Sequence, residues 1–142
     1  MFKIKSEVQF DMAHYLSGYE GKCSNIHGHR YKLIAKLRSE KLHQDGQLRG
    51  MVDDFGNFKN ILKEIAETFD HKLIIENNED GKALVKKFEE LQNNFNIYLV
   101  DYRPTAEEMS RDIFNRLKAK GLSVCEVELF ETPNNSCIYT ED

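Results

Sequence analysis

Cys23, His27 and His29 stand in the run Cys23-Ser24-Asn25-Ile26-His27-Gly28-His29. Two imidazoles separated by one residue without a side chain lie on the same face of a β-strand, because successive strand residues alternate sides. Such a pair grips a metal ion from one side, and a third histidine, His14, is available to complete the set. Three neutral nitrogens with a fourth position open is the ligand set of a catalytic zinc. Two other readings stay open on the residues alone. Cys23 could be a fourth ligand that closes a structural site, or the histidines could be satisfied polar residues at the edge of a core.

The strands that must position these groups are legible in the hydrophobic pattern. From Phe2 onward the even positions read Phe2, Ile4, Ser6, Val8, Phe10, Met12 and His14, against Lys3, Lys5, Glu7, Gln9, Asp11 and Ala13. This period of two predicts a half-buried strand whose apolar face ends at His14. A second strand begins at the motif, with His27, His29, Tyr31, Leu33, Ala35 and Leu37 on one side. If the two pair antiparallel across the connection Tyr15 to Asn25, the three imidazoles meet at one end of the hydrophobic face.

Composition narrows the function class. The chain has 142 residues, 40% of them hydrophobic, which predicts one domain over residues 1–142, able to bury roughly two-thirds of its unfolded surface without disulfides. Three widely spaced cysteines, no charged-then-apolar leader and no apolar run of membrane-spanning length read as a cytoplasmic protein with free thiols. A net charge of −4 argues against broad binding to a phosphate backbone. Neither nucleic acid nor membrane is expected as a partner; a small molecule is.

Downstream, Asp45-Gly46 marks a turn in a solvated stretch that includes His43. Phe58, Ile61, Leu62, Ile65 and Phe69 form one helical stripe, capped by Asp54 or Asn57 and ending at Asp70-His71. A histidine at that place is either a solvated C-terminal residue favoured by the helix dipole or half of a carboxylate–imidazole pair. Residues 76–82 read as a polar loop, followed by a shorter helix through Leu84, Phe88, Leu91 and Phe95, and a short strand over Ile97 to Val100. Thr105 and Glu108 have capping-box spacing at the start of a third helix, with Met109, Ile113 and Leu117 inward and Gly121 as the stop. Strands over Val124 to Thr132 and Ser136 to Tyr139 flank a Pro133-Asn134-Asn135 turn. In the first, Glu131 shares a face with Cys125, Val127 and Leu129. There it either meets a ligand that donates hydrogen bonds or sits in water beyond the core.

Taken in order, Phe10-Asp11-Met12-Ala13-His14, Cys23 three residues before His27-Gly28-His29, Met51-Val52-Asp53-Asp54-Phe55, Asp70-His71, Pro104-Thr105-Ala106-Glu107 and Glu131-Thr132 through Tyr139 resemble the 6-pyruvoyltetrahydropterin synthase superfamily over nearly the whole chain. The three-residue spacing after the cysteine is similar to the queuosine-pathway branch, whose members form 6-carboxytetrahydropterin; five residues are typical of the pyruvoyl-forming branch.

The resemblance implies an α+β tunnelling fold, an antiparallel sheet with helices packed on one face, closed into a barrel by trimers that stack into hexamers with active sites between subunits. It implies 7,8-dihydroneopterin triphosphate as substrate, cleaved with loss of acetaldehyde and triphosphate. It implies zinc on His14, His27 and His29, Cys23 as proton-abstracting base and Asp70 with His71 as an acid–base relay. Glu131 would anchor the pterin ring, steadying the His71 charge being an alternative task for it, and Thr105 and Glu107 would help hold the ring. One departure stands out: between His71 and Pro104 this chain is expected to carry a helix and a short strand where many relatives have a brief loop, and Lys72-Leu73-Ile74 follows the Asp-His pair.

Overall fold

The computed structural model describes residues 1–91 and 95–142. The first two strands are β1 (Phe2–His14) and β2 (His27–Ser39), paired antiparallel along their whole length from Phe2 opposite Ser39 to His14 opposite His27. On β1 the buried positions are Val8, Phe10, Met12 and His14, and on β2 Tyr31, Leu33, Ala35 and Leu37, so the alternation in sequence is the alternation in space. A slip of one residue would turn this entire set to solvent.

Next come α1 (Phe55–Phe69), β3 (Lys72–Glu76), α2 (Glu79–Glu89), β4 (Ile97–Val100), α3 (Ala106–Ala119), β5 (Val124–Thr132) and β6 (Asn135–Thr140). The strands form one sheet in the order β4-β3-β1-β2-β5-β6. It is antiparallel from β1 through β6, but β3 runs parallel to both β1 and β4, so the sheet is mixed.

The two amphipathic helices cover the apolar face. Phe58, Leu62, Ile65, Ala66 and Phe69 of α1, and Met109, Ile113, Phe114 and Leu117 of α3, join the strand residues in one core cluster. Phe58, Leu62 and Phe69 are fully buried, a class of side chain whose truncation to alanine costs about 2–5 kcal/mol. Asp54 is the cap of α1, accepting the Asn57 N–H at 2.9 Å. Thr105 caps α3 by accepting the Glu108 N–H. The reciprocal half of the capping box is not made, because the Glu108 carboxylate turns to Arg111 at 2.9 Å instead. Gly121, at φ 85, closes α3 in the left-handed region that its sequence position predicts.

Three features depart from the expected pattern. The stretch after His71, to which the sequence pattern assigns no element, is a strand. Its Ile74 and Ile75 are both fully buried, so β3 is covered on both faces and shows no alternation to read. The second helix starts earlier than Leu84, within the polar run, because Asn78 accepts the Gly81 N–H at 2.8 Å and so caps α2. That helix stops at Glu89; part of the expected stretch between Leu91 and Phe95 lies outside the described residues. Finally, α2 adds nothing to the core cluster that α1 and α3 share with the sheet. It rests its Gly81 against Glu76 and Ile75 of β3. Among the described residues no helix is long and apolar enough to cross a membrane.

Candidate active site

The β1–β2 register sets the three histidines together. His14 lies opposite His27 and Met12 opposite His29, and the ring centroids stand 4.6 Å (14–27), 4.9 Å (27–29) and 5.5 Å (14–29) apart. One nitrogen from each ring falls within 4.8 Å of the other two. Among the described residues this converged set holds the three histidines and not Cys23.

Main-chain carbonyls decide what these nitrogens present. His14 Nδ1 lies 2.7 Å from the Pro104 carbonyl and His27 Nδ1 lies 2.6 Å from that of Asn25. A carbonyl only accepts, so both Nδ1 atoms carry the proton and both Nε2 atoms carry a lone pair. Those two Nε2 atoms face each other at 3.1 Å, and among the described residues His29 Nε2 is buried with no hydrogen-bond partner. Burial pushes the pKa of His14 and of His29 below the usual 6.5, outweighing the nearby Glu131 carboxylate, so protonating either of these two is a poor way to relieve the convergence. A divalent cation relieves it directly, and carbonyls holding the far ring nitrogens are the usual support of such ligands. The donor set therefore fits a metal ion.

Tyr31 forms the floor. Its ring meets His14 and His29 edge-on at 6.1 and 5.7 Å and stacks on Phe10 at 5.3 Å. Its hydroxyl, 3.4 Å from His14 Nε2, is too far for a strong hydrogen bond. Burial first, then the negative charge of Glu131, holds the phenol protonated well above its ordinary range.

A pocket of about 310 Å³ opens beside the histidine set, walled by His14, Cys23, Thr105, Glu107 and Glu131, with Cys137 also in the wall. Its volume suits a small fused-ring ligand. Cys23 is half-buried on one turn of 3-10 helix, Lys22–Ser24. Thr105 sits at the N-terminus of α3, with Glu107 exposed in the same first turn. Glu131, near the end of β5, is half-buried rather than in open water, with its two carboxylate oxygens 3.4 Å from His29 Nε2 and 3.9 Å from His14 Nε2.

Asp70 and His71 lie elsewhere. His71 adopts φ 57, a left-handed conformation uncommon outside glycine. The turn is held by the His71 N–H donating to the Asp11 carbonyl at 2.7 Å and by Asp70 accepting the Asp11 N–H at 3.0 Å. The second Asp70 oxygen pairs with His71 Nδ1 at 3.0 Å. That bond raises the pKa of His71 above 6.5. Desolvation works against ionisation of Asp70, yet its bonds from the Asp11 N–H and His71 prevail and its pKa falls. His71 is exposed and lines an adjoining cleft of about 610 Å³ with Asp11, Ile26, His29, Arg30, Phe88 and Phe95. One chain thus gathers His14, His27, His29, Cys23, Thr105, Glu107 and Glu131, and sets His71, bonded to Asp70, in the neighbouring cleft. The partner of His71 is Asp70; Glu131 attends the histidine set instead.

Sequence reasoning did not find the Pro104 and Asn25 carbonyls, since a main-chain acceptor has no residue signature, or Cys137. The alternation of β6 was the signal that could have turned Cys137 toward the pocket. Tyr31 was visible on the histidine face, but nothing in its spacing distinguished floor from core.

The family model described as 6-pyruvoyl tetrahydropterin synthase matches residues 3–142. The chain is 41% identical to the 6-carboxy-5,6,7,8-tetrahydropterin synthase of Haemophilus influenzae, covering 99% of this chain and 100% of the relative. It is 35% identical to the protein of the same name from Rickettsia felis, covering 94% and 96%. Its fold matches the structure of Caenorhabditis elegans 6-pyruvoyl tetrahydropterin synthase with a TM-score of 0.67 at 24% identity, over 99% of this chain and 96% of that one.

Proposed function

The chain belongs to the 6-pyruvoyl tetrahydropterin synthase family and has its tunnelling fold, and from that premise we propose that it is a zinc-dependent 6-carboxy-5,6,7,8-tetrahydropterin synthase. As one domain, in the cytoplasm, it converts 7,8-dihydroneopterin triphosphate and one water to 6-carboxytetrahydropterin, releasing acetaldehyde and triphosphate, in queuosine biosynthesis. The observation that carries this reading is the convergence of three imidazoles, two of them with facing Nε2 lone pairs, at a pocket that His14 lines together with Cys23 and Glu131. The three-residue spacing from Cys23 to His27, with the names of the full-length relatives, supports the carboxy-forming branch.

His14, His27 and His29 hold the zinc. When bound, zinc supplies Lewis-acid polarisation of a substrate side-chain oxygen, worth several kcal/mol to a developing negative charge. Cys23 takes the proton from the adjacent carbon. A thiol of ordinary pKa near 8.5 does this at neutrality only beside a cation, and His71, whose pKa Asp70 raises, is the partner proposed for it. Glu131 presents two acceptor oxygens to the ring N–H and exocyclic amine of a pterin, with Thr105 and Glu107 at the same pocket. Because Cys23 and His71 line different clefts of one chain, the relay forms between subunits, in a trimer that stacks to a hexamer.

Mass analysis of the products from dihydroneopterin triphosphate tests the reading. A 6-carboxy product with equimolar acetaldehyde is expected, and a 6-pyruvoyl product would move the chain to the other branch. The Cys23→Ala variant is expected to keep its zinc and lose turnover. Loss of zinc and of stability together would make Cys23 a ligand and the domain a zinc-stabilised binding module.

A further inference from the structure

Cys23 sits on a connection, residues 15–26, whose later part is almost wholly exposed. A base that must meet one carbon of a bound ring needs its backbone held to a fraction of an ångström. The base of the connection is closed by the Leu16 N–H, which donates to the Cys23 carbonyl at 2.7 Å. Whatever fixes Leu16 and its neighbours therefore fixes Cys23.

Two outside elements grip the turn at Ser17-Gly18. Arg103 reaches across from the entrance to α3, its Nη2 donating to the Ser17 carbonyl at 2.6 Å. From the entrance to α2, Asp80 accepts the Ser17 hydroxyl at 3.0 Å, and the Asn78 amide donates to the same hydroxyl at 3.4 Å. Gly18 adopts φ 75, and a Cβ built there would lie 3.5 Å from Arg103 Nη2, so the guanidinium lies against the turn itself. Arg103 also begins the three-residue turn whose Pro104 carbonyl holds His14 and whose Thr105 stands in the pocket wall. Thr105 N–H closes this turn by donating to the Arg103 carbonyl at 2.7 Å.

We infer that Arg103 is a positioning residue: it ties the Cys23 connection to the turn that carries the metal-side carbonyl and the pterin-side threonine, and so sets the thiol relative to both. Asp80 gives this tie a second strand, which assigns a task to the N-terminus of α2. The inference rests on the role of Cys23 proposed above.

The test is Arg103→Ala in the full chain. kcat is expected to fall about tenfold or more while KM for the pterin triphosphate stays within about twofold, since orientation is lost and binding is not. Zinc remains equimolar. Iodoacetamide, followed by mass spectrometry of the Cys23 peptide, is expected to label the loosened thiol severalfold faster. Guanidinium ion below denaturing concentration is expected to restore part of the lost kcat, which a merely structural defect would not allow. Wild-type kcat and wild-type labelling together would overturn the inference, as would a kcat loss with unchanged labelling and no rescue. If Arg103→Ala does not fold, Asp80→Ala, an exposed substitution at the same turn, must raise Cys23 labelling, and unchanged labelling there refutes the tie. Cys23→Ala run in parallel separates the two levels: turnover in that variant would defeat the proposed role of Cys23, while the labelling rates would still report whether Arg103 holds the connection.

Discussion

Asp70 and His71 titrate as a pair in opposite directions. The bond to Asp70 raises the His71 pKa above its ordinary 6.5, so the stabilisation it gives is complete below pH 6.5 and disappears as pH rises through the higher folded value. Asp70 is lowered from 3.8, so its contribution is complete above that value and is lost as pH falls through the lower folded one. Both are favourable together from about pH 4 to pH 6.5, the interval between the two ordinary values. An NMR titration of the His71 ring is expected to give a midpoint above 6.5 in the wild type and a lower one in Asp70→Asn; equal midpoints would mean that the carboxylate does not hold the imidazole charge. At this scale the adjacency of a carboxylate and an imidazole was readable from two letters of sequence. Their placement was not, because it depends on Asp11 offering its N–H and C=O to the turn at the far end of a helix.

Among the elements, α2 shows why a glycine can stand inside a helix. A Cβ at Gly81 would lie 2.8 Å from Ile75 Cγ2 and closer still to the Glu76 carbonyl, with backbone rather than a flexible tip as the obstacle. Ordinarily Gly→Ala stabilises a helix by up to about 1 kcal/mol; here overpacking, typically about 1–3 kcal/mol, is expected to win. Urea unfolding of Gly81→Ala should show a lower midpoint, and a raised midpoint would mean that α2 does not press on β3. The strands β1, β2 and β5 and the helices α1 and α3 were legible because each buries one face, leaving a period of 2 or 3.6 in the sequence. Burial on both faces erased that period in β3. The cap at Asn78 outweighed the polarity that made residues 76–82 look like a loop.

For the whole molecule, the salient fact is an open edge. Among the described residues, β1 is paired on the side away from β2 only with β3, through Met12, Ala13 and His14, and the last strand at the far end of the sheet, β6, has β5 on one side alone. An unpaired ladder of this length invites a strand from another chain, and two different edges meeting head to tail close into a ring if the rotation permits. Light scattering is expected to give a mass at a multiple of three chains. A sharper measurement mixes two inactive variants, Cys23→Ala and His71→Ala. In a ring of mixed chains about a quarter of the interfaces would pair an intact Cys23 with an intact His71, so a corresponding part of the activity should return on co-refolding. If none returns, the relay is formed within one chain. The sequence pattern carried the layers of this molecule but not its assembly, because an edge is defined by which neighbour is missing.

The two strands that bear the histidines also come first in the chain. All three imidazoles are present once residue 29 has been made, on strands joined by the short 15–26 connection, whereas Pro104 and Glu131 follow much later. At about 5–20 residues per second, a growing chain passes several seconds with this hairpin complete and the rest of the sheet unmade. A cation taken up in that interval would lock His14 opposite His27 and so choose the strand register before any core exists to enforce it. Metal scarcity would then act during synthesis, by leaving the choice of register to the core that forms later.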